Sequence, residues 1–207
     1  MTPEETQKLQ AWLDSPDDSW RPQVSYFKPP ISNVLPSEEI SLQEVHRRIT
    51  GGDLAGITAK LRSLEDPKKK RSFKAKHFPY VTFAGSFAKR QDSALLRPSG
   101  LMVFDFDHLQ DPAYTRSVLL ELPEFDTELL FTSPSGDGLK WIIKFHRDDM
   151  SYEDYFLSVS NYLTVNHNLQ PDASGKDRSR ACFLPHDPEA YLHPRHGDFE
   201  NLKIGLI

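Results

Sequence analysis

Gly100-Leu101-Met102-Val103-Phe104-Asp105-Phe106-Asp107 is apolar from Leu101 to Phe104 and then alternates acid with aromatic. A short apolar run of this kind predicts a central strand covered on both faces. Asp105 and Asp107 stand at i and i+2, so a strand sends both carboxylates to one face, about 6.5–7 Å apart along the backbone. Two acids so close at the end of an apolar strand repel each other unless a cation joins them. Hard divalent ions such as Mg²⁺ or Mn²⁺ seek such oxygens, and two of them suit in-line displacement at phosphorus. Acid-x-acid pairs also close ordinary strands, solvated, and the pair by itself leaves both readings open.

Downstream lies Ser133-Pro134-Ser135-Gly136-Asp137-Gly138-Leu139-Lys140. Its small residues let backbone N–H groups approach an anion, with Lys140 entering the next strand as a point charge. The glycine spacing is not that of a Walker loop, and a plain hairpin turn has the same composition. Further on, Asp172-Ala173-Ser174-Gly175-Lys176-Asp177-Arg178-Ser179-Arg180 sets acids before two arginines as a strand begins. Arginine forks suit phosphate oxygens. Asp172 is positioned to complete a three-carboxylate site, Asp177 competes for that role, and a loop of surface salt bridges accounts for the residues equally well. His193-x-x-His196 has the spacing of metal ligands on a helix, but flanking proline and glycine assign it to a tail. Cys182, in an apolar run, reads as a core thiol.

Capping patterns place the helices. Thr2-Pro3-Glu4-Glu5 opens one to about Leu13, and Ser41-Leu42-Gln43-Glu44 opens another that stops at Gly51-Gly52. Residues 14–40, rich in proline and acid, read as an irregular arm. Short helices follow at Leu54–Leu64, from Asp111-Pro112 to about Leu122, and from Ser151 to about Asn166. Strands are expected at Tyr80–Phe83, Leu129–Thr132, Leu139–Phe145 and Ala181–Leu184, with loop after Pro185. This order predicts an α/β or α+β sandwich. It comprises an N-terminal helical and irregular extension over residues 1–66, packed on a core over residues 67–207, the two together making one compact domain.

Hydrophobic residues make up 38% of the 207 and charged residues 27%, enough to bury a core. A lone cysteine excludes a disulfide framework and Cys-based zinc, and fits a reducing, cytoplasmic setting. No apolar run is long enough to span a membrane, and the polar start Met1-Thr2-Pro3-Glu4-Glu5 is not a secretory signal. The net charge of −5 conceals a block. Between Pro67 and Gln91 stand Lys68, Lys69, Lys70, Arg71, Lys74, Lys76, Lys89 and Arg90 with no acid, so the remainder carries −13. That window suits a polyanion, with Phe73, Phe78 and Tyr80 available to stack bases or to fill core. A solvated basic loop is the plainer alternative.

The order of acid-hydrophobic-acid strand, Ser-Pro-Ser-Gly-x-Gly hairpin, and Asp before a Ser-Arg element resembles the archaeo-eukaryotic primase (primase-polymerase) superfamily. It is most similar to the VirE N-terminal-like bacterial group, as is Phe83-x-Gly85-x-Phe87-x-x-Arg90 ahead of Ser99-Gly100-Leu101. The resemblance covers about Pro79 to Pro188. It implies an RRM-like catalytic half that binds two Mg²⁺ or Mn²⁺ ions through Asp105, Asp107 and Asp172. An NTP or dNTP would lie against Ser133, Ser135, Gly136, Gly138, Lys140, Arg178 and Arg180. Lys140 stands where most members of that superfamily carry a histidine, which bears on polymerase activity more than on nucleotide binding. The implied partners are a DNA or RNA template or primer and a helicase. Three functions follow as expectations: a nucleotidyltransferase, a degenerate domain of that fold that only binds, and, ranked low, a phosphatase or nuclease using the same acids.

Overall fold

The computed structural model describes residues 20–145 and 150–197. The capped helix expected at Thr2–Leu13 lies outside them. The first described elements are two strands, β1 (Gln23–Phe27) and β2 (Glu38–Ser41). Ser41 then caps α1 (Leu42–Thr50) by accepting a hydrogen bond from the Glu44 N–H, and the helix buries Leu42, Val45 and Ile49. Next come α2 (Ala55–Ser63) and α3 (Pro67–His77), then β3 (Tyr80–Thr82), β4 (Gly85–Phe87), β5 (Leu95–Pro98) and β6 (Leu101–Phe106). The remainder is α4 (Pro112–Glu121), β7 (Thr127–Thr132), β8 (Leu139–Lys144), α5 (Tyr152–His167), β9 (Cys182–Phe183) and β10 (Tyr191–Leu192).

One sheet has the order β2-β1-β3-β9 and a second β10-β7-β8-β6, with β4 and β5 forming a separate ribbon. Every pairing is antiparallel, so the class is α+β. The second sheet is apolar on both faces. Leu101, Val103, Leu129, Phe131 and Ile142 meet Val24, Val81, Cys182 and α1 on one side. Met102, Phe104, Phe106, Leu130, Trp141 and Ile143 meet α4 and α5 on the other. This two-sided cover is why β6 reads as a continuous apolar run.

The expectation of an irregular arm over residues 14–40 is corrected where it is described. β1 lies inside the first sheet, hydrogen-bonded to both β2 and β3, with Val24 and Phe27 fully buried. The prolines around it, at 22, 29, 30 and 36, mask a five-residue strand whose burial does not alternate strictly. Residues 20–66 therefore supply part of the core that β3 and β9 share, not only an extension laid over it. The basic window is also more ordered than a loop. Asp66 caps α3 by accepting hydrogen bonds from the Lys68 and Lys69 N–H groups, and Pro67 takes the first helical turn. β10 adds a strand to the edge of β7 in what reads as a loop.

Candidate metal centre

β6 places Asp105 on the face it shares with Leu101 and Val103, toward the space between the two sheets. Its cross-strand partner on β8 is Lys140, which also stands opposite Phe131 of β7. Residues opposed in an antiparallel pair share a face, so the Lys140 ammonium meets the Asp105 carboxylate at Oδ2. Both are largely buried, at 5% and 8% exposure for Asp105 and Lys140. β6 ends immediately after. His108 takes a left-handed conformation, its Nδ1 lies 2.7 Å from Asp137 Oδ2, and the Leu109 N–H donates to the Asp137 carbonyl. This turn leaves Asp107 exposed at the mouth of the site.

The third acid arrives from the loop after α5. Asp172 donates its backbone N–H to the Asp105 carbonyl at 2.8 Å, which docks the loop against β6. Asp172 Oδ1 accepts from the Ser174 N–H and hydroxyl and caps the short helical turn Ala173–Lys176. Gly175 is required there: a Cβ would lie 2.5 Å from a ring carbon of Phe156 and 3.1 Å from the Val103 carbonyl. Burial pushes the Asp172 carboxyl up, but Ser174 and Arg180 outweigh it and hold it below the usual carboxylate range.

One oxygen from each of Asp105, Asp107 and Asp172 lies within 4.8 Å of the others, the only such group of metal-capable side chains among the described residues. Arg180 Nη2 donates to Asp105 Oδ2 and to Asp172 Oδ2, each at 2.9 Å. Asp105 Oδ1 is buried with no hydrogen-bond partner. A buried carboxylate oxygen left unpaired costs free energy, and a divalent cation in the gap between the three acids would satisfy it. The donor set, all hard oxygen, suits a hard divalent cation.

The site residues read from sequence divide into two sets. Asp105, Asp107, Asp172, Lys140 and Arg180 come together. Arg178, two residues earlier, goes elsewhere. Its guanidinium lies over the Tyr152 ring at 5.4 Å and lines a cleft of about 410 Å³ with Trp20, Leu95, Pro98 and Leu101, at the opposite end of β6 from the acids. Asp177 pairs with Asp92 instead of joining the triad. The two carboxyls share a hydrogen bond, and burial with that contact raises Asp177 above the usual range. The two arginines part despite their i, i+2 spacing because the chain turns between them, with the Arg180 N–H bonding the Asp177 carbonyl at 3.1 Å.

In the hairpin, the Ser133 N–H bonds the Gly138 carbonyl at 2.7 Å and the Gly136 N–H bonds the Ser133 carbonyl at 2.9 Å. Gly136 has φ +88°, and a Cβ on Gly138 would come within 2.2 Å of the Phe106 carbonyl. The glycines thus let the turn close against the end of β6. Arg62 of α2 donates to the Pro134 and Ser133 carbonyls from behind, an interaction that nothing in the motif announces. Ser133 Oγ is buried without a partner, and Ser135 close by is half-buried.

Of the basic window, Lys68, Lys69, Arg71, Lys76 and Lys89 are exposed and Lys70 is half-buried. Lys74 turns inward. It lies 5.7 Å over the Phe183 ring, and burial together with the Lys140 charge lowers its pKa, while Asp107, Asp105 and Asp137 pull it up. It therefore joins α3 to the acid site. Arg90 is spent on structure, 5.4 Å over the Tyr80 ring and donating to the Ile31 carbonyl. Phe78 and Tyr80 are core. His196 is buried against Glu128 at 2.6 Å, and His193 caps the turn Pro194–His196, so the histidine pair holds the C-terminal segment. Burial pushes the Cys182 thiol up to about 12. No described helix is long and apolar enough to cross a membrane.

A family model described as BT4734-like, N-terminal domain, matches residues 72–192, which include the three acids, the hairpin, Lys74, Lys140 and Arg180. No curated protein and no solved structure matches the chain.

Proposed function

The chain belongs to the BT4734-like N-terminal domain family, and from the acid site inside the matched stretch we propose a metal-dependent nucleotidyltransferase of primase-polymerase type. The observation that carries this reading is the convergence of Asp105, Asp107 and Asp172 around a buried, unpartnered carboxylate oxygen, walled by Lys140 and Arg180. In the reaction a strand hydroxyl attacks the α-phosphorus of an incoming NTP or dNTP. The new O–P bond forms as the bond to the β-phosphate oxygen breaks, pyrophosphate leaves, and the hydroxyl proton passes to solvent.

A divalent ion between the three acids would supply Lewis-acid stabilisation of the negative charge that builds on the phosphoryl oxygens. The chain's own residues do the rest. Lys140 and Arg180 fix positive charge beside the acids in a site shielded from solvent, where it acts strongly on phosphate. Lys74 extends that field to α3, whose exposed Lys68, Lys69, Arg71 and Lys76 track a nucleic-acid backbone. The glycines at 136 and 138 let the hairpin close against the end of β6, beside the acids.

A second reading has its own support. Asp105 is already paired with two internal cations, as in a fold that binds nucleic acid but transfers nothing. Primer extension with Mn²⁺ and Mg²⁺, comparing wild type with Asp105→Ala/Asp107→Ala, separates the two. Extension by wild type alone, with nucleic-acid affinity equal in both, supports the transferase. Absence of extension with either metal, together with equal nucleic-acid binding, leaves the binding domain.

A further inference from the structure

We infer that this site holds one divalent ion, and that the Lys140 ammonium takes the place beside Asp105 where a second ion would sit. The inference rests on the metal-site reading above and deepens it. A carboxylate oxygen offers two lone pairs. On Asp105, Oδ2 already faces the Lys140 ammonium and the Arg180 guanidinium, which leaves Oδ1 alone for a metal. On Asp172, Oδ1 is taken by the Ser174 N–H and hydroxyl, and Oδ2 shares Arg180. What remains is Asp105 Oδ1, the second lone pair of Asp172 Oδ2, and exposed Asp107. That is one face of a single six-coordinate ion, with the other positions left to water and phosphate.

A carboxylate bridging two ions about 3.5–4 Å apart gives one oxygen to each. Asp105 has only one to give unless Lys140 leaves. Lys140 has little freedom to leave: its stem rises from β8, an inner strand flanked by β6 and β7, and the residue is 8% exposed. An ammonium drawn away from its carboxylate in such a place stays desolvated and loses its partner. The charge points the same way. The three acids are balanced by Lys140, Arg180 and nearby Lys74, so one divalent ion already makes the site positive enough to receive a phosphate chain.

The test is Mn²⁺ titration of the full chain followed by electron paramagnetic resonance, with and without a nucleoside triphosphate analogue that cannot be cleaved between α and β phosphates. Wild type should bind one Mn²⁺ in the acid site and show no exchange-coupled pair in either condition. Lys140→Met, which keeps the length of the stem without the charge, should admit a second ion and give the coupled spectrum with the analogue. Lys140→Gln serves if the methionine variant is not stable. A coupled pair in wild type overturns the inference and leaves the metal site standing, as does a single ion in both lysine variants. No Mn²⁺ bound by wild type overturns the metal site itself.

Discussion

At the scale of single residues, what is legible depends on whether a residue's partner is local. Asp105 and Asp107 stand out because the strand period fixes their shared face. Asp172 against Asp177 cannot be decided from sequence, because the choice depends on a hydrogen bond from the Asp172 N–H to a carbonyl 67 residues earlier. The same holds for Arg180 against Arg178, and for the engagement of Lys74. His193 shows how a local motif misleads: its spacing to His196 suggests ligands, but its Nδ1 accepts hydrogen bonds from the Arg195 N–H and Nε. Burial and the Arg195 charge lower its pKa from 6.5 to about 4. The folded state therefore binds fewer protons than the unfolded one between those values, and stability falls as pH drops through that window. Denaturant unfolding at pH 7 and pH 5 should show a lower midpoint at pH 5. His193→Gln should shrink that difference, and an undiminished difference would place the acid sensitivity elsewhere.

At the scale of elements, capping rules carry most of the helices. Ser41, Asp111 and Ser151 cap α1, α4 and α5 as their motifs predict. α3 is hidden by its charge, which dominates its composition, although Asp66-Pro67 is an ordinary helix start. As a helix, it presents its cations at fixed spacing with Lys74 turned toward the acids. Replacing Lys68, Lys69, Arg71 and Lys76 by alanine should weaken single-stranded nucleic-acid binding. It should also flatten the slope of log affinity against log salt by roughly 0.7 for each phosphate that is no longer neutralised. Mn²⁺ affinity should be unchanged, because none of the four reaches the triad. A salt slope equal to wild type would remove α3 from the nucleic-acid surface.

At the scale of the entire chain, the class is legible and the sheet membership is not. The run of helices and strands already indicates a layered α/β or α+β fold, and the antiparallel pairings decide for α+β. Strand order is set by long-range pairing, and only the fold shows β1 between β2 and β3, or β10 against β7. The site is a product of that topology. β6 brings Asp105, the turn after it brings Asp107, β8 brings Lys140, and the loop after α5 brings Asp172 and Arg180 across to meet them. The family match begins inside α3 and ends at β10, so it spans all of these elements while β1 and β2 lie before it.

The proposed chemistry requires that three acids from separate parts of the chain form one cation site, and that Asp172, not Asp177, completes it. Titration calorimetry with Mn²⁺ on wild type, Asp172→Ala and Asp177→Ala tests this. Even partners behind metal ligands are commonly worth 10- to 100-fold in affinity, so loss of the Asp172 ligand should weaken Mn²⁺ binding by roughly a hundredfold. Asp177→Ala, which removes the contact with Asp92 and the Ser179 hydrogen bonds but no oxygen of the triad, should bind Mn²⁺ as wild type does. Equal affinity in wild type and Asp172→Ala, or a loss confined to Asp177→Ala, would contradict the three-acid site.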